Sequence, residues 1–329
     1  MSLIPREAFE AVSLEHERVA VIGYGSQGRA QALNLRDSGA SVCIGLRDGS
    51  PSVAPARADG FDVLCIEKAA AQADMLALLV PDEVQPALYR DTIAPMLAKG
   101  AALVFAHGYN IHYRLIKPRA DLDVILVAPA AIGEVLRARY MAGGGTAGFL
   151  AVGQDASGRA QRRMLAYARA LGHDRVAAVE TSFAEETETD LFSEQAVLVG
   201  GLTGLILTAF ETLVEAGYQP EVAYYCCFEE VKYMTDILFT RGFAGMRAGV
   251  SSTAAFGALG AEKRIFDQNT RSTMRSLLTE IQEGSFSAAL AKEMNRGAPE
   301  LIAEVHRLES HPLEIVRNRL LRNKPHPES

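Results

Sequence analysis

The sequence has little cysteine and no spacing of cysteines that is typical of a structural site. Its four cysteines, Cys43, Cys65, Cys226 and Cys227, form no C-x-x-C pair, which excludes a disulfide framework and a zinc site of the usual spacing. Cys226 and Cys227 are adjacent in sequence, and adjacent cysteines form no ordinary unstrained bridge. Such cysteine usage is typical of a reducing compartment, so we expect a cytoplasmic protein.

An excess of positive charge and a long apolar run are also missing. The 329 residues include 33 basic and 40 acidic side chains, a net charge of −7, which excludes the basic surface that nucleic-acid binding requires. The N-terminal residues have neither a basic nor an apolar segment, so we expect no signal peptide. The longest apolar stretch, 196–210, has 15 residues with three glycines and two threonines. It is too short to span a membrane and predicts a helix buried in the core.

What is present is a regular alternation of strand and helix patterns in the first half of the chain. Six short apolar runs are predicted strands: 19–22, 41–44, 75–79, 102–105, 124–127 and 148–152. Amphipathic stretches such as 26–38 and 83–97 lie between them and have helical spacing. This alternation predicts an α/β domain with a parallel, doubly wound sheet of the Rossmann type, which we place at residues 1–181.

The second half of the chain has helical patterns almost throughout. Apolar residues three and four positions apart predict helices at 187–216, 220–241, 262–283 and 299–322. With 49% hydrophobic residues the chain can bury a core in each half. We therefore expect an all-helical second domain at residues 182–329.

A glycine-rich segment follows the first predicted strand and begins a predicted helix. Residues Gly23, Tyr24, Gly25, Ser26, Gln27 and Gly28 match the pattern G-x-G-x-x-G. In this context the glycines allow a tight turn and a close approach of the backbone to a pyrophosphate at the helix N-terminus. The alternative is a tight turn without a ligand. The position predicts that these six residues bind a dinucleotide.

The end of the second predicted strand bears on the choice between NADP and NAD. An acidic residue there binds a ribose 2′-hydroxyl, whereas a basic residue accommodates a 2′-phosphate. Arg47, Ser50 and Ser52 suit a phosphate, whereas Asp48 suits the hydroxyl. The balance favours NADPH.

Five stretches give the sequence a family resemblance. They are Gly23-Tyr24-Gly25-Ser26-Gln27-Gly28, Pro81-Asp82-Glu83-Val84-Gln85, Ala106-His107-Gly108-Tyr109-Asn110-Ile111, residues 186–195 (ETETDLFSEQ) and His311-Pro312-Leu313-Glu314. With them the chain resembles the short (class I) ketol-acid reductoisomerases over nearly its whole length. The resemblance implies a Rossmann domain, a knotted helical domain and a homodimer, or a higher even-numbered oligomer, with a shared active site. The family uses NADPH and magnesium to move an alkyl group in an acetohydroxy acid and to reduce the product.

The resemblance also implies roles for individual residues. Asp190, Glu194 and Glu230 would bind magnesium and act in catalysis, Ser251 would contact the substrate, and further cofactor contacts would come from Pro81, Asp82, Gln85 and Gly133. From the residues alone, Asp190 and Glu194 lie four apart and share a helical face, and their oxygens suit a hard cation. A solvated acidic helix start is the alternative.

His107 follows the predicted strand at 102–105, at the carboxyl edge of the sheet where Rossmann ligands bind. It is either a catalytic proton relay near the nicotinamide or a hydrogen-bonded structural histidine. The sequence leaves both interpretations open.

The sequence departs from the family pattern at three places in the expected active site. The loop that is Pro-Lys-Gly-Pro-Gly in the family has Ala130 in place of the lysine, the second metal-binding helix has Cys226 in place of its first glutamate, and Ala255 replaces an acidic residue. Glu229 stands where the family has histidine, about 100° around the helix from Glu230. The Cys226 thiol would suit a softer metal such as zinc, or it packs as a small buried hydrophobe, which we favour.

These departures predict a reductase that has lost isomerase activity. Alkyl migration needs two closely spaced divalent ions, whereas hydride transfer needs a positioned nicotinamide, a polarised acceptor and a proton source. We expect a small carbonyl or imine substrate from a specialised biosynthetic pathway, with at most a single or weakened Mg²⁺ site. The alternatives are an authentic ketol-acid reductoisomerase in which Glu229 compensates, and a non-catalytic homologue that binds NADPH. We expect no nucleic-acid or membrane partner.

Overall fold

The computed structural model describes residues 2–323, which form two compact units. One unit ends at Thr189 and the other begins at Asp190, so the division falls inside a single helix, Phe183–Ser193. Two hydrophobic clusters lie in the first unit and one lies in the second. We describe the units one at a time.

The first unit is built on a nine-stranded sheet. Its strands are β1 Ser2–Leu3, β2 Arg18–Ile22, β3 Ser41–Gly45, β4 Asp62–Leu64, β5 Met75–Leu78, β6 Ala102–Phe105, β7 Asp123–Pro129, β8 Gly148–Gln154 and β9 Ala178–Glu180. They are arranged in the order β1-β9-β8-β7-β6-β5-β2-β3-β4. All six predicted strands are confirmed. The three that the sequence did not predict, β1, β4 and β9, have only two or three residues each.

The predicted parallel, doubly wound sheet is confirmed, and two antiparallel pairs are added to its parallel strands. Strands β2 to β7 are parallel, whereas β8 pairs antiparallel with β7 and β1 pairs antiparallel with β9. Gly148, the first residue of β8, pairs with Pro129, the last residue of β7. The chain therefore re-enters the sheet at the edge that it has just left, and β8 runs back along β7.

Helices cover both faces of this sheet. They are α1 Ser26–Asp37, α2 Val53–Ala58, α3 Ile66–Gln72, α4 Gln85–Leu88, α5 Ala94–Met96, α6 Tyr109–His112, α7 Gly133–Met141, α8 Ala160–Leu171 and the first turns of α9 Phe183–Ser193; short 3₁₀ turns lie at Arg6–Phe9 and His173–Arg175, and a π-turn at Tyr89–Ile93. Alternate residues of β2 belong to different clusters: Val19 and Val21 pack in one, Ala20 and Ile22 in the other. Successive side chains of a strand point to opposite faces, so the sheet is buried on both sides, as in a doubly wound fold.

The second unit is helical. After α9 come a π-turn at Glu194–Leu198, α10 Gly200–Glu215, α11 Pro220–Tyr224, a π-turn at Tyr225–Glu229, α12 Glu230–Gly249, α13 Ser252–Ile265, α14 Gln268–Gln282, α15 Ser285–Asn295, α16 Pro299–Glu309 and α17 Pro312–Asn323. Its buried cluster is small and consists of Phe210, Ala223, Tyr224, Leu313 and Val316.

Two of the long predicted helices are each divided in two. The stretch 262–283 is interrupted before Asp267, whose carboxylate accepts the Thr270 N–H at 3.0 Å and begins α14. The stretch 299–322 is interrupted at Ser310 and His311, and Pro312 begins the next helix. An aspartate cap and a proline at the first helical position are both common helix starts, and the apolar periodicity passes over them.

The apolar stretch 196–210 is not a buried core helix within this chain, contrary to expectation. Of its fifteen described residues only Phe210 is buried, and Val197, Leu198 and Val199 are each more than half exposed. It belongs to a longer continuous helix, Phe183–Glu215, of 33 residues. By length and composition this helix is the one among the described residues that could cross a membrane.

Candidate active site

The glycine-rich loop joins β2 to α1 with space left over the helix N-terminus. Gly23 has a φ of +98°, and a Cβ there would lie 2.7 Å from the Leu79 carbonyl oxygen. A Cβ at Gly28 would lie 2.5 Å from the Gly23 carbonyl oxygen. At Gly25, the N-cap residue of α1, a Cβ would meet no described atom within 4 Å apart from its immediate neighbours in the chain. Two glycines thus allow the turn to fold, and the third leaves room beside the first amides of α1, which suits a pyrophosphate.

Tyr24 ties this loop to the end of α2. Its side chain is buried, and its hydroxyl donates to Asp59 Oδ2 at 2.8 Å. Arg29 in α1 donates to both oxygens of the same carboxylate, at 2.7 and 3.1 Å. The Arg29 guanidinium lowers the pKa of Asp59, and burial together with Asp59 raises the pKa of Tyr24. The tyrosine that was predicted to bind the cofactor therefore has a structural partner as well.

Gln27 and Gly133 connect the glycine-rich loop to the loop that follows β7. Gln27 Nε2 donates to the Ala131 carbonyl at 2.8 Å. A Cβ at Gly133 would lie 2.1 Å from the Ser26 carbonyl oxygen, so the starts of α7 and α1 approach as closely as backbones allow. Ala130 is exposed, and its N–H donates to the Ala147 carbonyl. The loop in which Ala130 replaces the family's lysine thus adjoins the predicted phosphate site.

A buried relay of side chains supports Gln27. The Tyr167 hydroxyl, fully buried in α8, donates to Gln31 Oε1 at 2.9 Å, and Gln31 Nε2 donates to Gln27 Oε1 at 3.1 Å. Each amide in the relay accepts one hydrogen bond and donates the next. This arrangement fixes which way the Gln27 amide faces.

The residues that were predicted to select the cofactor lie between β3 and α2. Arg47 and Asp48 are exposed, and Ser50 and Ser52 are half-buried. The segment is a tight turn: the Ser50 N–H donates to the Arg47 carbonyl at 3.2 Å, and the Val53 N–H donates to the Ser50 carbonyl at 3.2 Å. Basic, acidic and hydroxyl groups are all present at this edge.

The loops after β5 and β6 are joined by buried amides. Gln85 Nε2 donates to the Val80 carbonyl at 2.9 Å and to Asp82 Oδ1 at 3.1 Å. Asn110 Nδ2 donates to Gln85 Oε1 and to the Asp82 carbonyl, both at 3.0 Å. Gln85 and Asn110 are 5% and 1% exposed. Asp82 and Gln85, which follow Pro81 and are predicted to contact the cofactor, therefore also stabilise the loops at the carboxyl edge of the sheet.

His107 is held by a buried carboxylate that the sequence did not single out. Its Nδ1 lies 3.0 Å from Glu186 Oε1, and the neighbouring Gly108 N–H donates to Glu186 Oε2 at 2.7 Å. Glu186 is only 4% exposed, whereas part of the His107 ring reaches the surface. Glu186 lies in a stretch that marks the family resemblance, but 79 residues separate it from His107. The two interpretations of His107 are therefore compatible: it is hydrogen-bonded structurally, and it is fixed at the carboxyl edge.

A second histidine and carboxylate lie beside this pair. His112 Nε2 is 3.6 Å from Glu188 Oε1, and the His112 ring is 4.6 Å from the Tyr113 ring. Burial, with Tyr109 and Glu188 nearby, raises the pKa of Tyr113 to about 12. Tyr113 therefore keeps its proton at neutral pH.

In the second unit, the predicted metal ligands flank two π-turns. Asp190 lies in α9, and Glu194 begins the π-turn that follows it. Cys226 lies within the π-turn Tyr225–Glu229, and Glu230 is the exposed first residue of α12. A π-turn is wider than an α-helical turn and is frequent at functional sites.

Cys226 is exposed, so the expectation that it packs as a buried hydrophobe was wrong for this chain. Tyr224, at the end of α11, and Phe228, in the turn, pack in the small core of the unit, and Cys226 lies outside that core. Its neighbour Cys227 is half-buried, and burial raises the pKa of the Cys227 thiol.

Ser251 and Ala255 lie at the start of α13. The Ser251 Oγ accepts the Ala254 N–H at 3.1 Å and caps the helix. Ala255 is half-buried in the first turn of this helix. The substrate contact of Ser251 stays a prediction.

Comparison with known proteins agrees with the sequence over both units. Residues 13–177 match the family described as acetohydroxy acid isomeroreductase, NADPH-binding domain, and residues 183–325 match ketol-acid reductoisomerase, C-terminal domain. An NADH-preferring ketol-acid reductoisomerase from an uncultured archean has 39% sequence identity and a TM-score of 0.96. The match covers 99% of this chain and all of that one.

More distant structures share the fold alone. A semialdehyde dehydrogenase NAD-binding protein from Cupriavidus necator has 17% identity and a TM-score of 0.62, over 81% of this chain and 99% of that one. A pyrroline-5-carboxylate reductase from Coxiella burnetii has 14% identity and a TM-score of 0.57, over 82% and 98%.

Proposed function

The chain belongs to the ketol-acid reductoisomerase family, and from that premise we propose that it is an NADPH-dependent reductase of a small carbonyl or imine compound that has lost alkyl migration. As a member of the family it is an NAD(P)H-dependent oxidoreductase. The observation that supports the proposal is a difference between the cofactor site and the rest of the expected active site. The dinucleotide cradle is complete, whereas Ala130, Cys226 and Ala255 remove a cation and two carboxylates from positions of the family's active site.

The cradle fits a nicotinamide dinucleotide. The open space at Gly25 accepts the pyrophosphate, and Arg47, Ser50 and Ser52 are the groups that favour NADPH. A bound NAD(P)H supplies the hydride. His107, oriented by Glu186, is the group that we propose holds and passes a proton at the carboxyl edge. The similar archaeal protein prefers NADH, and in this chain Asp48 is the residue that would favour NADH, because an acidic side chain there binds a ribose 2′-hydroxyl.

The metal donors fit magnesium only in part. Asp190, Glu194 and Glu230 offer carboxylate oxygens, which a hard cation prefers. A thiol at Cys226 is a poor ligand for magnesium. The remaining donors suit a single or weakened Mg²⁺ site, and they lack the fourth carboxylate that the resemblance assigns to a two-ion site. For this reason our proposal contains no alkyl shift.

An authentic ketol-acid reductoisomerase is the second candidate. It is favoured by the 39% identity to such an enzyme over 99% of the chain and by the match of both family domains. In that case Glu229, on the π-turn before Glu230, would take the place of the missing glutamate. A non-catalytic NADPH-binding protein is the third possibility that the experiment below distinguishes.

We also propose a homodimer, or a higher even-numbered oligomer, in the cytoplasm. The exposed apolar residues of Phe183–Glu215 would then face another copy of the chain, and the glutamates in its first turns favour that environment over lipid. The substrate is a small molecule of a specialised biosynthetic pathway.

NADPH consumption with three classes of substrate tests the proposal. With excess magnesium, we expect oxidation of NADPH with a simple 2-oxo acid or a cyclic imine, and little or none with 2-acetolactate. Turnover of 2-acetolactate would support the authentic isomeroreductase. Tight NADPH binding without turnover of any of the three would support the non-catalytic alternative.

A further inference from the structure

Asp59 joins two parts of the cofactor cradle that are far apart in sequence. Its carboxylate is bound from the glycine-rich loop by Tyr24 and from α1 by Arg29, through three hydrogen bonds of 2.7–3.1 Å. Its carbonyl oxygen accepts a further hydrogen bond from Arg36, whose guanidinium also lies 5.1 Å from the centre of the Phe61 ring. Asp59 is the C-cap residue of α2, so one end of this helix is fixed to the phosphate loop.

The other end of α2 is continuous with the predicted cofactor-selecting segment Arg47–Ser52. The Ser50 N–H bonds the Arg47 carbonyl, the Val53 N–H bonds the Ser50 carbonyl, and the Ala56 N–H bonds the Ser52 carbonyl, each at 3.0–3.2 Å. At the far end the Asp59 N–H bonds the Pro55 carbonyl at 3.0 Å. A helix of six residues is about 9 Å long and does not bend easily. The start of this segment is already held beside the glycine-rich loop by the pairing of β2 with β3, where the Gly23 N–H bonds the Gly45 carbonyl at 3.2 Å. Its other end, at Ser50 and Ser52, is held through α2 and the attachment of α2 at Asp59.

We propose that Asp59 is a positioning residue that sets the discrimination between NADPH and NADH. The inference rests on the proposed cofactor function. A cofactor that bears a 2′-phosphate must contact the segment 47–52 and the glycine-rich loop at once. When the distance between these two parts is fixed before binding, both contacts form without a further loss of conformational entropy. Without the Asp59 carboxylate, α2 is no longer held to the glycine-rich loop. The segment 47–52 then loses conformational entropy when the cofactor binds, and this loss weakens binding. The pyrophosphate contacts, which NADPH and NADH share, are unaffected.

Positioning and simple electrostatics predict opposite results. Replacing Asp59 by asparagine removes a negative charge near the site and frees Arg29, which by charge alone would strengthen binding of the more negative NADPH. Loss of positioning weakens it. The sign of the change therefore separates the two explanations.

The test is the ratio of two dissociation constants, for NADPH and for NADH, measured by titration of the nicotinamide fluorescence. The variants are Asp59→Asn and Tyr24→Phe, which keeps the ring that packs edge-on against Phe61 at 5.9 Å. The control is Asp74→Asn. Asp74 holds Arg18 with the same two-pronged geometry, at 2.9 and 3.1 Å, and the two pairs have comparable exposure.

We expect Asp59→Asn to move the ratio at least tenfold toward one, Tyr24→Phe to move it about threefold, and Asp74→Asn to leave it within twofold. Thermal unfolding of each variant shows whether it is folded, and a general destabilisation would weaken both cofactors alike. An unchanged ratio in folded Asp59→Asn and Tyr24→Phe proteins, or a ratio that moves away from one, would overturn the inference.

Failure of the proposed cofactor preference gives a different result. If the unaltered protein binds NADH more tightly, the NADPH preference is wrong, but Asp48 lies on the same segment. Asp59→Asn must then move the ratio toward one by weakening NADH binding, whereas loss of charge alone would do so by strengthening NADPH binding. Equal affinities in the unaltered protein would contradict both, because no discrimination would exist for Asp59 to support.

Discussion

The glycines of the loop after β2 have separate roles at the scale of single residues. We predict that Gly25→Ala leaves the protein folded, because the added methyl group meets no described atom within 4 Å. It should weaken NADPH binding at least tenfold, because the methyl group occupies the space that we assign to the pyrophosphate. Gly28→Ala should instead destabilise the fold, since its Cβ would lie 2.5 Å from a carbonyl oxygen.

Urea unfolding and NADPH titration of the two variants check this prediction. Undiminished cofactor affinity in folded Gly25→Ala protein would mean that the pyrophosphate lies elsewhere. A Gly28→Ala protein as stable as the parent would mean that the turn tolerates a side chain.

The sequence predicts the glycine-rich turn between β2 and α1 because the spacing of its glycines is local. Gly23, Gly25 and Gly28 lie within six positions, and the strand before and the helix after them are visible in the pattern. Glu186 and Asp59 were not predicted because their partners His107 and Tyr24 lie 79 and 35 residues away. A carboxylate within an acidic stretch has no local feature that marks it as the buried one.

At the scale of elements, the short turn His173–Arg175 joins α8 to β9 and encloses a buried histidine. His173 is 0% exposed, its Nδ1 lies 2.9 Å from the Thr146 carbonyl, and Nε2 has no hydrogen-bond partner among the described residues. A carbonyl accepts only, so Nδ1 carries the proton. Burial lowers the pKa of His173 below its usual 6.5, and the hydrogen bond to Thr146 opposes this only in part.

This burial predicts a pH-dependent stability. In the unfolded chain the imidazole takes up a proton below about pH 6.5, whereas in the folded protein it stays neutral to lower pH. Unfolding therefore binds a proton, and the free energy of unfolding should fall with decreasing pH by up to about 1.4 kcal/mol per unit below pH 6.5. The contribution is fully present above that pH.

Denaturant titrations between pH 5 and pH 7.5 measure the effect. His173→Asn keeps a donor for the Thr146 carbonyl and cannot titrate, so it should remove this part of the pH dependence. The same change at His16, which is exposed, is the control and should leave the slope unaltered. Equal slopes for the parent and His173→Asn would contradict the prediction.

The strands were predictable from sequence and the direction of one long strand was not. Buried runs such as Met75–Leu78 and Ala102–Phe105 carry enough apolar residues to be recognised. The direction of β8 depends on where the chain re-enters the sheet, and apolar alternation is the same in either direction. Likewise, helical periodicity predicts the helices of the second unit but passes across the caps at Asp267 and Pro312.

At the scale of the whole molecule, the helix Phe183–Glu215 has exposed apolar residues that we expect a second copy of the chain to cover. Leu198 and Val199 are 60% and 63% exposed, and Leu205 is 47% exposed. We predict a solution mass of about twice the 35.4 kDa of the chain, or a higher even multiple. Contiguous apolar surface of this kind is uncommon in proteins that stay monomeric.

Light scattering with a matched pair of variants checks the oligomer. Leu198→Asp should lower the measured mass or prevent assembly, whereas Val176→Asp, at an apolar residue of the first unit that is 57% exposed, should not. A parent protein that is monomeric at micromolar concentration would contradict both the dimer and the shared active site.

The replacements at Ala130, Cys226 and Ala255 lie in different elements, and together they predict the loss of one half of the family's reaction. Removing a single preorganised electrostatic group commonly lowers a rate by about 100- to 1000-fold, and groups that act together do not contribute additively. We therefore expect the rate of alkyl migration to be at least about 100-fold lower than in an enzyme with the family's residues. The separate losses should not simply multiply. NADPH binding should be unaffected by these three replacements, because the glycine-rich loop and the segment 47–52 are unchanged by them.

Product analysis after incubation with 2-acetolactate, magnesium and NADPH tests this central claim most directly. NMR or mass spectrometry should detect no rearranged dihydroxy acid, or only its slow formation, while the same preparation binds NADPH and reduces an acceptor that needs no alkyl shift. Ala130→Lys combined with Cys226→Glu should increase the rearranged product, with the missing acid at Ala255 limiting the recovery. Rapid formation of the rearranged product by the unmodified protein would contradict the account, and it would make Glu229 the replacement metal ligand.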